Sequence, residues 1–216
     1  MTLDAMPVPA CDATGAGNTG HDAAVPRAHW SFARAGARER PAVEAFIRRG
    51  FERAYGARLA RLMPALMALR RDAEILAACG LRAAAGEKLF LETYLDQPVD
   101  AALSLATGLT LGRTDIVEVG NLVIARAGFA RRLIFNLTTH LNAAGPAWVV
   151  FTAVPALRNN FTRLGIPLVT LAAADGGRLP AAARAEWGDY YEQAPLVTAV
   201  RVASAFDAVC EAACTR

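Results

Sequence analysis

An α/β domain is what the chain predicts, on three observations. The stretch 115–124 is dense in Val and Ile and too short for most helices, so it reads as a buried strand. From 115 to 171 the pattern runs strand, helix, strand, helix, strand, which is a βαβ-rich half. Of the 216 residues 54% are hydrophobic and 20% charged, enough apolar material for the interior of one domain.

Residues 1–26 mix Pro, Gly, Asp, Ala and Thr without a period and read as a flexible leader, leaving 27–216 as the folded domain. A short strand is expected at 29–33. Helical spacing covers 41–55, with Pro41 in the first turn and Gly56 as the stop. A second helical stretch is expected at 59–69, broken at Pro64. Residues 74–81 read as a strand, 88–95 as extended chain, and 98–107 as a helix ended by Gly108. After the central strand, 128–144 carries Phe129, Leu133, Ile134, Leu137 and Leu141 on one helical face and stops at Gly145 and Pro146. A strand at 148–153 follows, then a helix at 155–164 with Leu157, Phe161 and Leu164 inward and Gly165 as its cap. Strands at 166–171 and 195–202 precede a final helix over 203–213, with Phe206, Val209, Cys210 and Ala213 inward.

The formal charge is +3 and the arginines are scattered, which argues against nucleic acid as a partner. Cys11, Cys79, Cys210 and Cys214 show no metal-ligand spacing and read as free thiols of a reducing compartment; the last two are one helical turn apart. His21, His29 and His140 have no acidic or thiol ligands near them in sequence, so no metal is expected. No secretory signal and no bilayer-length apolar run is visible, so the expectation is a cytoplasmic protein without a transmembrane segment.

Glu118 stands inside the apolar strand. A carboxylate there must find partners or shift its pKa upward, and a raised pKa suits a general base working on an amine. The competing reading is a structural pair with Arg82 or Arg113. Gly120 interrupts the same strand, as at a bulge or a close approach, and Asn121 adds an amide. A bulge over Val119, Gly120 and Asn121 would free backbone groups for an amide-rich ligand arm such as pantetheine; the alternative is a tight packing contact under a neighbouring helix. Arg126, Gly128 and Ala130 join the strand to the next helix, whose N-terminus suits phosphate, with Arg131 and Arg132 adding charge. Glu92 and Asp96 lie beside aromatics and would position a cationic acceptor, or are solvated acids. Trp187 opens an aromatic cluster with Tyr190 and Tyr191 that lines a pocket or packs in the core. No Ser-His-Asp order, P-loop or dinucleotide fingerprint is present.

From about 30 to 202 the chain resembles the bacterial thermostable hemolysin family. The resemblance lies in Cys79-Gly80-Leu81-Arg82, the 89–96 stretch, 116–122, 150–153 with 157–165, and Trp187 to Tyr191. Within 74–171 the order is similar to the GNAT acyltransferase core, and within that superfamily to the acyl-homoserine-lactone synthases. The resemblance implies a GNAT-like mixed, partly split β-sheet flanked by helices. It puts Arg82 and Glu118 at the places of a strand arginine and a catalytic glutamate. Arg126, Gly128 and Ala130 approximate the pyrophosphate loop, one residue short after the arginine. The segment 159–166, with Asn160, resembles the GNAT helix that leads into Gly-Phe. Phe161 stands where many members carry a tyrosine general acid, and phenylalanine has no proton to give. The implied activity is N-acyl transfer, of a fatty acyl group among others, from an acyl-CoA or acyl-carrier-protein thioester to a small amine acceptor. No tightly bound cofactor is implied, and a homodimer is left open. Two rivals stand beside it. One is a membrane-active hemolysin-type protein acting through the basic amphipathic stretch 126–141. The other is a catalytically inactive binding module, favoured by Phe161 and the short loop.

Overall fold

The computed structural model describes residues 28–214; the expected leader, Cys11 and His21 lie outside the described residues. Seven strands form one sheet in the order β1-β2-β3-β4-β5-β7-β6. They are β1 (Trp30–Arg34), β2 (Ala65–Arg71), β3 (Glu74–Ala83), β4 (Ile116–Ile124), β5 (Trp148–Ala153), β6 (Val169–Ala173) and β7 (Leu196–Arg201). Only β4 and β5 run parallel among the paired neighbours. That pair is joined by a crossover helix, as parallel neighbours require.

Helices cover both faces. On one lie α1 (Arg40–Tyr55), α2 (Val99–Thr107) and the short α5 (Ala181–Ala185); on the other lie α3 (Ala130–Ala144), α4 (Pro155–Arg163) and α6 (Val202–Cys214). Alternation along the strands feeds the two layers separately. Met67, Cys79, Val117, Val119, Val149 and Phe151 pack with Ile134, Leu137 and Val209 of α3 and α6. Leu66, Ala68 and Ala78 instead meet Val43, Ile47 and Phe51 of α1. Between β4 and β5 the register ends at Glu118–Val150, and beyond it the two strands part. The mixed, partly split sheet expected from the sequence is therefore present.

Most expected elements stand, and four differ. The 59–69 helix is absent: 56–64 is irregular and β2 begins at Ala65. Pro64 bars a helix through it, and the Ala-Leu-Met run that follows is buried on both faces as an inner strand, so packing overrides its helical propensity. The extended chain expected at 88–95 is a 3-10 turn over Phe90–Tyr94, closed by Glu92 accepting the N–H of Leu89 at 2.6 Å. The strand expected at 166–171 starts three residues later, after Pro167. In α6 the buried stripe is Val202, Ala205 and Val209, whereas Phe206 and Cys210 are half-buried. The side chains of Ala213 and Cys214 lie outside the described residues.

Candidate active site

Glu118 is 3% exposed, on β4 at the last rung before the strands part. Its two carboxylate oxygens accept from backbone: Oε2 from the N–H of Phe90 at 3.1 Å and Oε1 from that of Leu91 at 3.0 Å. The 3-10 turn that the sequence reading missed is thus the device that holds this acid. Burial pushes the Glu118 pKa above the ordinary carboxylate value; the amides of Leu91 and Phe90 and the nearby Arg82 charge offset only part of that. Neither arginine considered as its structural partner makes an ion pair with it. Arg113 is bonded to Glu92. Arg82 stands opposite Glu118 across β3 and β4, yet its Nε lies 3.4 Å from Glu87.

The bulge is in place. Between Ala78 and Gly80 the β3–β4 register shifts, and Asn121 takes a left-handed φ of 52°. Asn121 Oδ1 accepts the backbone N–H of Met63 at 2.8 Å. A Cβ on Gly80 would stand 2.2 Å from Met63 Cβ, and one on Gly120 2.4 Å from Met63 Cε. Both glycines are therefore needed for close approach of the 56–64 segment, so the packing contact weighed for Gly120 is present, but against this irregular segment and not under a helix. That segment is pinned from three sides. Arg40 donates to the carbonyls of Pro64 and Met63, Arg48 to that of Leu59, and Glu186 accepts the N–H of Ala60.

Packing against Met63 does not fill the site. A cavity of about 690 Å³ opens where β4 and β5 diverge, and its walls come from both faces of the sheet. Glu118, Val119, Gly120, Asn121 and Arg82 all line it. On the α3 and α6 side the wall is mostly aliphatic, with Leu133, Ile134, Leu137, Val149 and Val200 beside Phe151 and Phe161. On the α1 side it is aromatic, with Phe51, Tyr55, Phe90, Trp187 and Tyr190. Trp187 stacks on Phe90 with ring centroids 5.4 Å apart. Tyr190 donates to Thr152 Oγ1 at 3.0 Å, and burial raises the pKa of both Tyr55 and Tyr190, so each stays a neutral donor near pH 7.

Other expected site residues lie apart. Glu92 and Asp96 border a second cleft on the far side of the 3-10 turn. Glu92 is buried and bonded to Arg113 Nη1 at 2.7 Å, to Arg113 Nη2 at 3.1 Å and to the N–H of Val99 at 2.9 Å. Burial pushes its pKa up, but the Arg113 bond and the Val99 and Leu89 amides together outweigh it, and the net shift is downward. Neither expectation for Glu92 describes this arrangement: it is no solvated acid, and its acceptors are taken. Asp96 is almost fully exposed and bonds Arg178 at 2.8 Å. Arg126, Gly128 and Ala130 form the turn into α3 outside the cavity walls, with Arg126 and Gly128 exposed. Arg131 donates to the carbonyl of Ala212, and Arg132 lies over the Trp30 ring at 3.7 Å, so both have structural partners. Asn160 is half-buried on α4, whose neighbouring Leu157 and Phe161 do reach the cavity. Phe161 packs its ring 5.2 Å from Phe151.

Sequence reasoning missed the share of Phe51, Tyr55, Phe90, Met63 and Thr152 in this wall. The periodicity of α1 placed Tyr55 with the core. One signal was present: Gly188 sits between Trp187 and Asp189. It adopts φ +50°, and a Cβ there would stand 2.0 Å from the Tyr55 carbonyl oxygen, so the aromatic cluster is pressed onto the end of α1.

Solved structures share the architecture at low sequence identity. FeeM, an N-acyl amino acid synthase from uncultured soil microbes, aligns with a TM-score of 0.56 and 13% identity over 83% of this chain and 93% of its own. The AHL synthase LasI aligns at 0.53 and 9% identity, over 81% of this chain and 91% of its own. TofI, in a ternary complex with an inhibitor and MTA, aligns at 0.55 and 12% identity, over 83% and 95%. The fold is accordingly GNAT-like. No curated protein matches the chain. A family model described as thermostable hemolysin matches residues 33–206, and the chain belongs to that family.

Proposed function

We propose that this protein is an N-acyltransferase that takes an acyl group from a thioester, an acyl-CoA or an acyl carrier protein, and places it on a small amine. One observation carries the reading: Glu118, buried, with a raised pKa and no ion pair, lies on the wall of a cavity at the split in the sheet. The aliphatic half of that cavity suits an acyl chain, and the aromatic half suits the acceptor.

In this reading the acceptor ammonium gives one proton to the Glu118 carboxylate. The freed amine attacks the thioester carbonyl carbon, so a C–N bond forms as the carbonyl oxygen gains charge. A backbone N–H near Gly120 stabilises that charge. Collapse breaks the C–S bond; the thiolate takes a proton from water, since Phe161 has none to give, and the second amine proton leaves to solvent. The products are an amide and a free thiol. Arg126, Gly128 and Ala130, at the start of α3, meet the donor's phosphate where the helix terminus favours negative charge. The membrane-lytic reading is weakened by α3, whose Leu133, Ile134, Leu137 and Leu141 are already buried against the sheet. A hemolytic phenotype then follows from an acylated, amphiphilic product.

The test is to incubate the purified chain with octanoyl, dodecanoyl and palmitoyl thioesters of CoA and of acyl carrier protein, plus a mixture of amines, and to look for amides by mass spectrometry. An amide from any donor supports the reading. Liposome leakage by protein alone, with no amide from any donor, overturns it.

A further inference from the structure

We infer that the acceptor carries a carboxylate next to its amine, an amino acid with a large apolar or aromatic side chain, and that Arg82 binds the carboxylate. The inference rests on the transferase reading and deepens it. Arg82 lines the cavity beside Glu118, and the two occupy paired positions across β3 and β4. Directly opposed residues of an antiparallel pair lie roughly 5 Å apart at Cα, so their heads reach into the same small volume.

What sets Arg82 apart is a buried donor left unused. Its Nε is buried and makes no hydrogen bond among the described residues. The 3.4 Å approach to Glu87 is a loose contact with a half-exposed side chain, outside hydrogen-bond alignment. Glu118 does not fill the gap: each of its oxygens accepts one amide, from Phe90 and Leu91, and no hydrogen bond or ion pair joins it to Arg82. The contrast with Arg113 is direct: Nε of that arginine donates to the Ala84 carbonyl, and both terminal nitrogens reach Glu92. A guanidinium presents five donors in a planar fork that matches a carboxylate, and leaving a buried one unused is costly. Here a guanidinium with an unused donor stands on the cavity wall.

An acid and a guanidinium side by side read a zwitterionic head. Glu118 draws the ammonium and takes its proton; Arg82 holds the carboxylate and so aims the nitrogen at the thioester carbon. The third recognition element is the wall of Phe51, Tyr55, Phe90, Trp187 and Tyr190, which suits a flat apolar side chain. A plain hydrophobic amine would gain the wall and lose the fork. A small or acidic amino acid would gain the fork and lose the wall.

The experiment compares phenylalanine, phenylalaninamide and phenethylamine as acceptors with the best donor, reading kcat/KM from amide formation. The expected order has phenylalanine ahead of both analogues without the carboxylate by at least about 100-fold, as for a site whose buried donors are left unpaired by the wrong substrate. In Arg82→Gln the ratio of phenylalanine to phenethylamine should collapse toward one, and Arg82→Lys, which keeps the charge without the fork, should fall between. Phenethylamine acylated as readily as phenylalanine by the wild type, or an unchanged ratio in Arg82→Gln, overturns the assignment while leaving the transferase reading intact. No amide from any acceptor overturns the transferase reading itself, and this inference with it. Should Arg82→Gln fail to fold, the wild-type comparison of the three acceptors decides the question alone.

Discussion

Glu118 and Glu92 are both buried, and both accept hydrogen bonds from two backbone amides of the same stretch of chain. They differ in one partner and in depth, Glu118 being the more deeply buried. Glu92 also holds Arg113 through two guanidinium nitrogens, and its pKa falls below the ordinary value. Glu118 has only a nearby, unbonded arginine and an open cavity, and its pKa rises. At Glu118 two backbone amides offset too little of the desolvation, whereas at the less deeply buried Glu92 two amides and a bidentate guanidinium outweigh it. The first arrangement leaves an acid that holds its proton more tightly than an ordinary carboxyl, and the second leaves a structural clamp.

The sharpest way to break this contrast is Glu118→Gln. The amide keeps the shape and loses the base, so amide formation should drop by about 10²–10⁴, with circular dichroism unchanged. Undiminished turnover by that variant would remove Glu118 from the chemistry. Glu92→Ala should act on stability instead. It strands a partly buried Arg113 and two amides, at a cost of roughly 3 kcal/mol in denaturant unfolding. A Glu92→Ala protein as stable as the wild type would show that the clamp has no structural weight.

Stability against pH should separate the two with opposite signs. Glu92 has a depressed folded pKa, so its contribution is present above the unfolded carboxylate value near 4.5 and is lost as pH falls through the folded pKa. Glu118 has a raised folded pKa, so its burden is absent below that value and grows as pH rises through the folded pKa. Unfolding of wild type against each Gln variant, measured across this range, checks both; slopes of the same sign would contradict the pairing argument. The smallest effect belongs to Asp96→Asn. Its pair with Arg178 is solvated, and the loss should stay under about 0.5 kcal/mol with amide formation unaltered. A larger change in either would move Asp96 back into the site.

How much of this was legible in the sequence follows from range. Glu118 stood out because an acid in a Val- and Ile-rich strand is locally anomalous, and Gly120 with Asn121 marked the bulge for the same reason. Most elements after Asp115 obeyed their periodicity. What stayed hidden depends on contacts between distant segments. Nothing local to 59–64 says that Met63 will lie on Gly80 and Gly120, or that Arg40 and Arg48 will pin the segment. The 3-10 turn at Phe90–Tyr94 forms because Glu118, Glu92 and Arg113 converge on it, so its own residues read as extended chain. The unused Nε donor of Arg82 is likewise visible only once Glu118 is seen to be bonded elsewhere.

The central claim is that a buried carboxylate without a bonded cation sits ready to take a proton at the parting of β4 and β5. Carbon-13 NMR titration of the glutamate side-chain carboxyls, with Glu118 and Glu92 assigned from their Gln variants, reads it directly. The account expects Glu118 to titrate above the usual carboxylate range and Glu92 below it in one sample. Glu118 titrating at or below Glu92 would contradict it.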